Sequence, residues 1–165
     1  MLTVEQKQRV TRLACVFAAL FCFVMFGIGT PAQAGEKDST KALPTAAAYE
    51  GILRTVDQYI EGGRQGKSEV MKKAFHDEAG IFAYSNGKPV GGPIRLLYDL
   101  VDSKPPAGEI DYQVASVEIM GNIAMARVEI ENWAGKKYTD MFTLLRVGDG
   151  WLITCKVSHT HMIKE

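Results

Sequence analysis

From Tyr112 to the C-terminus the apolar residues recur at every second position, and that period restricts the fold more than any other feature of the chain. Four such runs, Tyr112–Met120, Ile123–Trp133, Lys137–Val147 and Trp151–His159, are separated only by Gly121-Asn122, Ala134-Gly135 and Gly148-Asp149-Gly150. Connections this short return each strand beside its predecessor, so the runs predict a four-stranded antiparallel meander.

Upstream the period lengthens. Tyr49, Ile52, Leu53, Val56 and Ile60 recur at three- and four-residue spacings, one apolar helical stripe that is expected to run out at Gly62-Gly63. Ser68 is placed to cap a short second helix, Glu69 to Phe75. Ile81–Tyr84 and Lys88–Val90 flank Ser85-Asn86-Gly87, a small hairpin whose Asn-Gly pair supplies the positive φ of a tight turn. Gly91-Gly92-Pro93 then opens a third helix through Ile94, Leu97, Tyr98 and Val101. The expected fold is α+β, with three N-terminal helices and a small hairpin packed on one face of the meander.

Turn length sets register, and register sets which residues share a face. With regular pairing across the three turns, one face collects Ala124, Ala126, Val128, Ile130, Met141, Thr143, Leu145, Ile153, Cys155, Val157 and His159, and this is the face the helices are expected to cover. The other collects Arg127, Glu129, Tyr138, Asp140, Phe142, Leu144, Lys156 and Ser158. On that second face Glu129 falls opposite Asp140, and like carboxylates so close could form an acid/base pair. Arg127 and Lys156 beside them fit a salt-bridged outer surface better. A homodimer is expected through this outer face, because Tyr138, Phe142 and Leu144 would otherwise lie bare in water.

The N-terminus is of another kind. Lys7, Arg9 and Arg12 precede an apolar run of 16 residues, Leu13 to Ile28, and Ala32 and Ala34 supply the small residues of a signal-peptidase site. Residues 1–34 are therefore expected to be a signal peptide cut after Ala34, shorter in its apolar run than the roughly 20 residues of a membrane span. Residues 35–47 read as a flexible leader and residues 48–161 as the domain, periplasmic or secreted and free of a membrane anchor after processing. Removing the signal takes three of 19 basic and one of 19 acidic residues, leaving 16 against 18, a net charge of −2. Such a balance carries no nucleic-acid footprint. Cys15 and Cys22 leave with the signal, and the single Cys155 that remains has no partner for an internal disulfide.

Two stretches, VMKKAFHDEAGIFAYSNGKPVGGPI and VEIENWAGKKYTDMFTLLRVGDGWLITCKVSH, resemble the Putative lumazine-binding family, a branch of the nuclear transport factor 2-like superfamily that also holds SnoaL-like cyclases. The matching features are Ala74-Phe75-His76, the Gly-Pro before the third helix, Thr139-Asp140-x-Phe142-Thr143-Leu144-Leu145, and a last strand with Trp151, Lys156 and His159. Ser158 stands where the family usually has an aromatic, and Asp77 where it has proline. The resemblance implies a cone-shaped half-barrel, usually dimeric, with a pocket between the helices and the concave side of the sheet.

Combined with the face assignment, that pocket is expected to be lined by Thr143, Leu145, Cys155 and His159 from the sheet and by Val56 and Tyr59 from the first helix, with Tyr84 near its mouth. The expected function is binding of a small organic ligand, such as a planar heterocycle of the lumazine kind, without a cofactor or metal and without chemical change. A hydrolase, dehydratase or isomerase using His159 or His76 is the second reading, and a dimeric interaction module is the third. His159 and His161 share one side of a strand, which is two metal ligands where a site needs three or more.

Overall fold

The computed structural model describes residues 45–85 and 87–161. The expected signal peptide and its expected cleavage site lie outside the described residues. Three helices, α1 (Thr45–Gln65), α2 (Ser68–Met71, continued by a 3-10 turn Lys72–Ala74) and α3 (Arg95–Asp102), accompany six strands. The strands are β1 (Phe75–Ser85), β2 (Lys88–Pro93), β3 (Asp111–Met120), β4 (Ile123–Trp133), β5 (Lys136–Val147) and β6 (Gly150–His161). They form one sheet in the order β2-β1-β6-β5-β4-β3. The four-stranded antiparallel meander is present as expected, but the hairpin is not a separate appendage. β1 pairs in parallel with β6, so β1 and β2 extend the sheet to six strands. No helix among the described residues is long and apolar enough to cross a membrane.

α1 begins at Thr45, so the last three residues of the expected leader belong to the helix. It also continues past Gly62-Gly63 instead of ending there. Both glycines are buried, and their lack of a side chain lets neighbours close in: a Cβ on Gly62 would lie 2.4 Å from that of Met71, and one on Gly63 would lie 2.2 Å from the Trp133 ring. Thr55 Oγ1 donates to the Trp151 carbonyl at 2.8 Å, tying the helix to the start of β6. The cost of glycine within a helix is thus offset by close approach. Ser68 does not cap its own helix. Its hydroxyl and its N–H donate to the two carboxylate oxygens of Asp102 at 2.7 and 2.8 Å, fastening α2 to the end of α3 and holding that carboxyl below the ordinary aspartate range.

The face assignment holds for β4 and fails for β5 because of one irregularity. Trp133 pairs with Lys136, as a two-residue turn requires, but by Ile130 the register has slipped by one and Ile130 faces Tyr138. A bulge of this kind exchanges the faces of everything beyond it. Tyr138, Asp140, Phe142 and Leu144 therefore point to the helices with Ala124, Ala126, Val128 and Ile130, while Met141, Thr143 and Leu145 point away. A second irregularity, between Thr143 and Leu144 in their pairing with β6, lets Trp151 and Ile153 share the helix-covered side with Lys156 and Ser158. Ile52, Val56, Tyr59 and Ile60 of α1 fill the core against these strands. Phe142 and Leu144 are each 1% exposed, so they cannot form the subunit interface expected of them.

Candidate ligand cavity and its buried ion pair

Beyond the packed part of the core, the helix-covered side opens into a cavity of about 730 Å³ between α1, α3, the β1–β2 hairpin and the ends of β5 and β6. Its walls are mostly apolar, among them Ile81, Leu97, Leu100, Pro106 and Trp133. The hairpin reaches this place because Gly91 gives Phe82 room: a Cβ on Gly91 would meet that ring at 2.3 Å.

The polar groups converge on one side of this space, where Tyr59, Tyr138, Lys156, Ser158 and Thr160 reach it from α1, β5 and β6. Behind them Asp140 is buried with a satisfied carboxylate. Tyr59 donates its hydroxyl to Oδ2 at 2.8 Å, and Oδ1 accepts from Lys156 Nζ at 2.9 Å and from Ser158 Oγ at 2.5 Å. Lys156 Nζ also donates to Ser158 Oγ and lies 5.6 Å from the centre of the Tyr59 ring. Burial first, then the adjoining Asp140 charge, raises the Tyr59 phenol well above its ordinary value of 10.0, so it stays a proton donor at neutral pH. Burial and Asp140 raise Tyr138 in the same direction.

Tyr59 is fixed by edge contacts with Phe75 and Phe142, at 5.9 and 5.4 Å between ring centres, and by Trp133 at 5.2 Å.

Of the residues expected to line the pocket, Tyr59 does so. Val56 is wholly buried in the core beside it, and Tyr84 is exposed on the hairpin. Thr143 and Leu145 lie on the opposite face of β5, and Cys155 and His159 alternate outward from Lys156 and Ser158 on β6. Neither histidine suggested for acid/base work borders the cavity. His159 packs edge-on to His161 at 4.9 Å on the open face, and half-buried His76 accepts the Glu78 N–H on its Nδ1. His161 bonds Thr139 Oγ1 at 2.8 Å, and no group of three or more His, Cys, Asp or Glu among the described residues is placed to hold a metal.

The imagined carboxylate pair is also divided. Glu129 pairs with Thr139 and bonds Arg127 on the open face, whereas Asp140 pairs with Val128 and turns inward. Asp140, Lys156 and Ser158 do share one face, but it is the helix-covered side of the sheet and not the outer one expected.

Helices over one face of a curved, mixed six-stranded sheet, with a polar cluster on one side of an apolar opening, define a nuclear transport factor 2-like domain. The sequence profile of the Putative lumazine-binding family matches residues 47–159, and the chain belongs to that family. A nuclear transport factor 2-like protein of unknown function from Shewanella baltica OS155 is 34% identical, with a TM-score of 0.70 over 73% of this chain and 98% of that one. A second, from Methylobacillus flagellatus KT, is 36% identical, with a TM-score of 0.67 over 75% and 98%. Aldolase FrzH from a Cladobotryum species is 28% identical over 118 residues, 71% of this chain and 94% of its own.

Proposed function

We propose that this domain binds a small, largely apolar organic molecule in the cavity, with an oxygen-bearing end turned toward Lys156 and Ser158. The observation that carries this reading is the placement of one buried ion pair, through its Lys156, at a mostly apolar space of about 730 Å³, within the size range of small-molecule sites. Family membership supports it, and a planar heterocycle of the lumazine kind suits the slot beside Trp133. Native mass spectrometry of the protein purified from its own host, with fluorescence titration of lumazine, tests it. Binding that disappears in Leu100→Trp, which narrows the opening, is the expected result; equal binding in that variant overturns the placement.

Transformation of the ligand is the second reading, and two observations favour it over binding alone. The Lys156 amine borders the cavity with the Asp140 carboxylate bonded behind it, and a relative matched over nearly its whole length carries the name aldolase. Acid/base work at a carbonyl compound would then fall to Asp140 and Lys156 in place of His159 or His76.

The homodimer is proposed on the open face of the sheet. Met125, Met141, Leu145 and Val157 stand there, all exposed, and they take the place of Tyr138, Phe142 and Leu144. Light scattering on Met141→Glu would show a monomer. Export with cleavage after Ala34 remains part of the proposal, and the intact mass of the exported protein tests it.

A further inference from the structure

We propose that Lys156 is a nucleophilic amine that joins the carbonyl carbon of a bound aldehyde or ketone as an imine, with Asp140 carrying the proton. The inference rests on the cavity being a small-molecule site and assigns that site its substrate class.

Three observations carry it. Lys156 is the one lysine lining the cavity whose side chain is enclosed, 10% exposed, while Lys104 and Lys136 stand at the edge in water. Its ammonium has three N–H groups, of which Asp140 Oδ1 and Ser158 Oγ take two. No third hydrogen bond from this ammonium joins those two, its remaining neighbour being the Tyr59 ring at 5.6 Å, and the residue borders the cavity. Asp140 is meanwhile held in place by Tyr59 on its other oxygen. An amine is thus fixed beside both an apolar space and a proton acceptor, which is what imine formation needs.

The step balances without a further reactant. Lys156 passes one proton from Nζ to Asp140 Oδ1, 2.9 Å away, and the neutral amine attacks the carbonyl carbon. The C–N bond forms as the carbonyl π pair moves to oxygen, which takes a proton from the nitrogen to give the carbinolamine. Asp140 returns its proton to that hydroxyl, the C–O bond breaks, and water leaves. The product is a protonated imine on Lys156 opposite an ionised Asp140, so the site ends with the charges it began with. Ser158 holds the leaving oxygen, and Tyr59 acts as a positioning residue for Asp140.

Cinnamaldehyde is a suitable flat, apolar probe. The full processed chain is treated with it and sodium cyanoborohydride at neutral pH, and the reduced adduct is located by peptide mapping. The expected result is one dominant adduct, on Lys156, lost in Lys156→Arg. Tryptophan fluorescence separates the outcomes, since Trp133 borders the cavity and Trp151 lies in the core. Quenching by cinnamaldehyde that persists in Lys156→Arg shows that the space still binds. In the wild-type protein, quenching with adducts spread over Lys104 and Lys136 and none on Lys156 overturns the covalent role alone. Neither quenching nor an adduct on Lys156 overturns the cavity reading with it. The wild-type map decides the matter even if the arginine variant fails to fold.

Discussion

The two faces of the sheet carry nearly the same ion pair in different surroundings. On the helix-covered face Lys156 meets Asp140 at 2.9 Å with side chains 10% and 1% exposed; on the open face Arg127 meets Glu129 at 3.0 Å with side chains 47% and 23% exposed. Distance does not separate them, but water does. An exposed pair is screened and contributes about 0–1 kcal/mol, whereas removing one partner of a buried pair strands a charge and costs about 3–5 kcal/mol. A protein can retain the first by default. The second stands where its extra hydrogen bonds to Tyr59 and Ser158 offset desolvation, and where its amine adjoins a cavity.

The largest expected effect is that of Lys156→Met, which leaves Asp140 buried without its cation and should lower unfolding free energy by about 3–5 kcal/mol in urea titration. The double variant Lys156→Met/Asp140→Leu should recover most of that loss, because it removes both charges. If the single variant were as stable as the wild type, the buried pair would have to be in contact with water.

Tyr59→Phe comes next. It deprives Asp140 Oδ2 of its donor while keeping the ring among Phe75, Phe142 and Trp133, for an expected loss of about 1–3 kcal/mol.

Alkaline pH sharpens the contrast further. Tyr59 and Tyr138 are raised by burial and then by Asp140, and Tyr98 and Tyr112 are pushed up to about 12, chiefly by burial. These phenols have an ordinary value of 10.0, so the unfolded chain ionises them first. Their stabilisation is complete below that pH and is lost as pH rises through the folded values. Melting temperature should therefore fall on raising the pH above 10, and less steeply in Tyr59→Phe.

Arg127→Ala on the open face marks the small end of the range, at about 0–1 kcal/mol. A loss as large as that of Lys156→Met would erase the distinction between the faces.

Much of the fold was legible because it rests on local signals. The period-two runs and their short turns place β3 to β6, and the spacing of Ile52, Val56 and Ile60 gives the buried stripe of α1. What escaped was non-local. Gly62 and Gly63 read as a helix end, yet they remain helical while Met71 of the next helix and Trp133 of distant β4 pack onto them. β1 joins the sheet through parallel pairing with β6, which no turn announces. The site was half legible: Asp140, Lys156 and Ser158 were grouped correctly, since their relative parity survives both irregularities. Their side of the sheet depended on a slip between Ile130 and Trp133 that leaves no mark in the turn Ala134-Gly135. A hint lay in Tyr138, Phe142 and Leu144, whose apolar bulk on one face asked for a core before it asked for a partner.

The most direct test sets the two faces against each other with one probe, anilinonaphthalene sulfonate, whose fluorescence rises in apolar sites. Thr160 on β6 borders the cavity, and Thr143 on β5 points away from it. Thr160→Trp should abolish the enhancement seen with the wild-type protein, and Thr143→Trp should leave it intact, both variants melting as folded proteins. Loss of the signal in Thr143→Trp with retention in Thr160→Trp would contradict the assignment and move the working site to the open face.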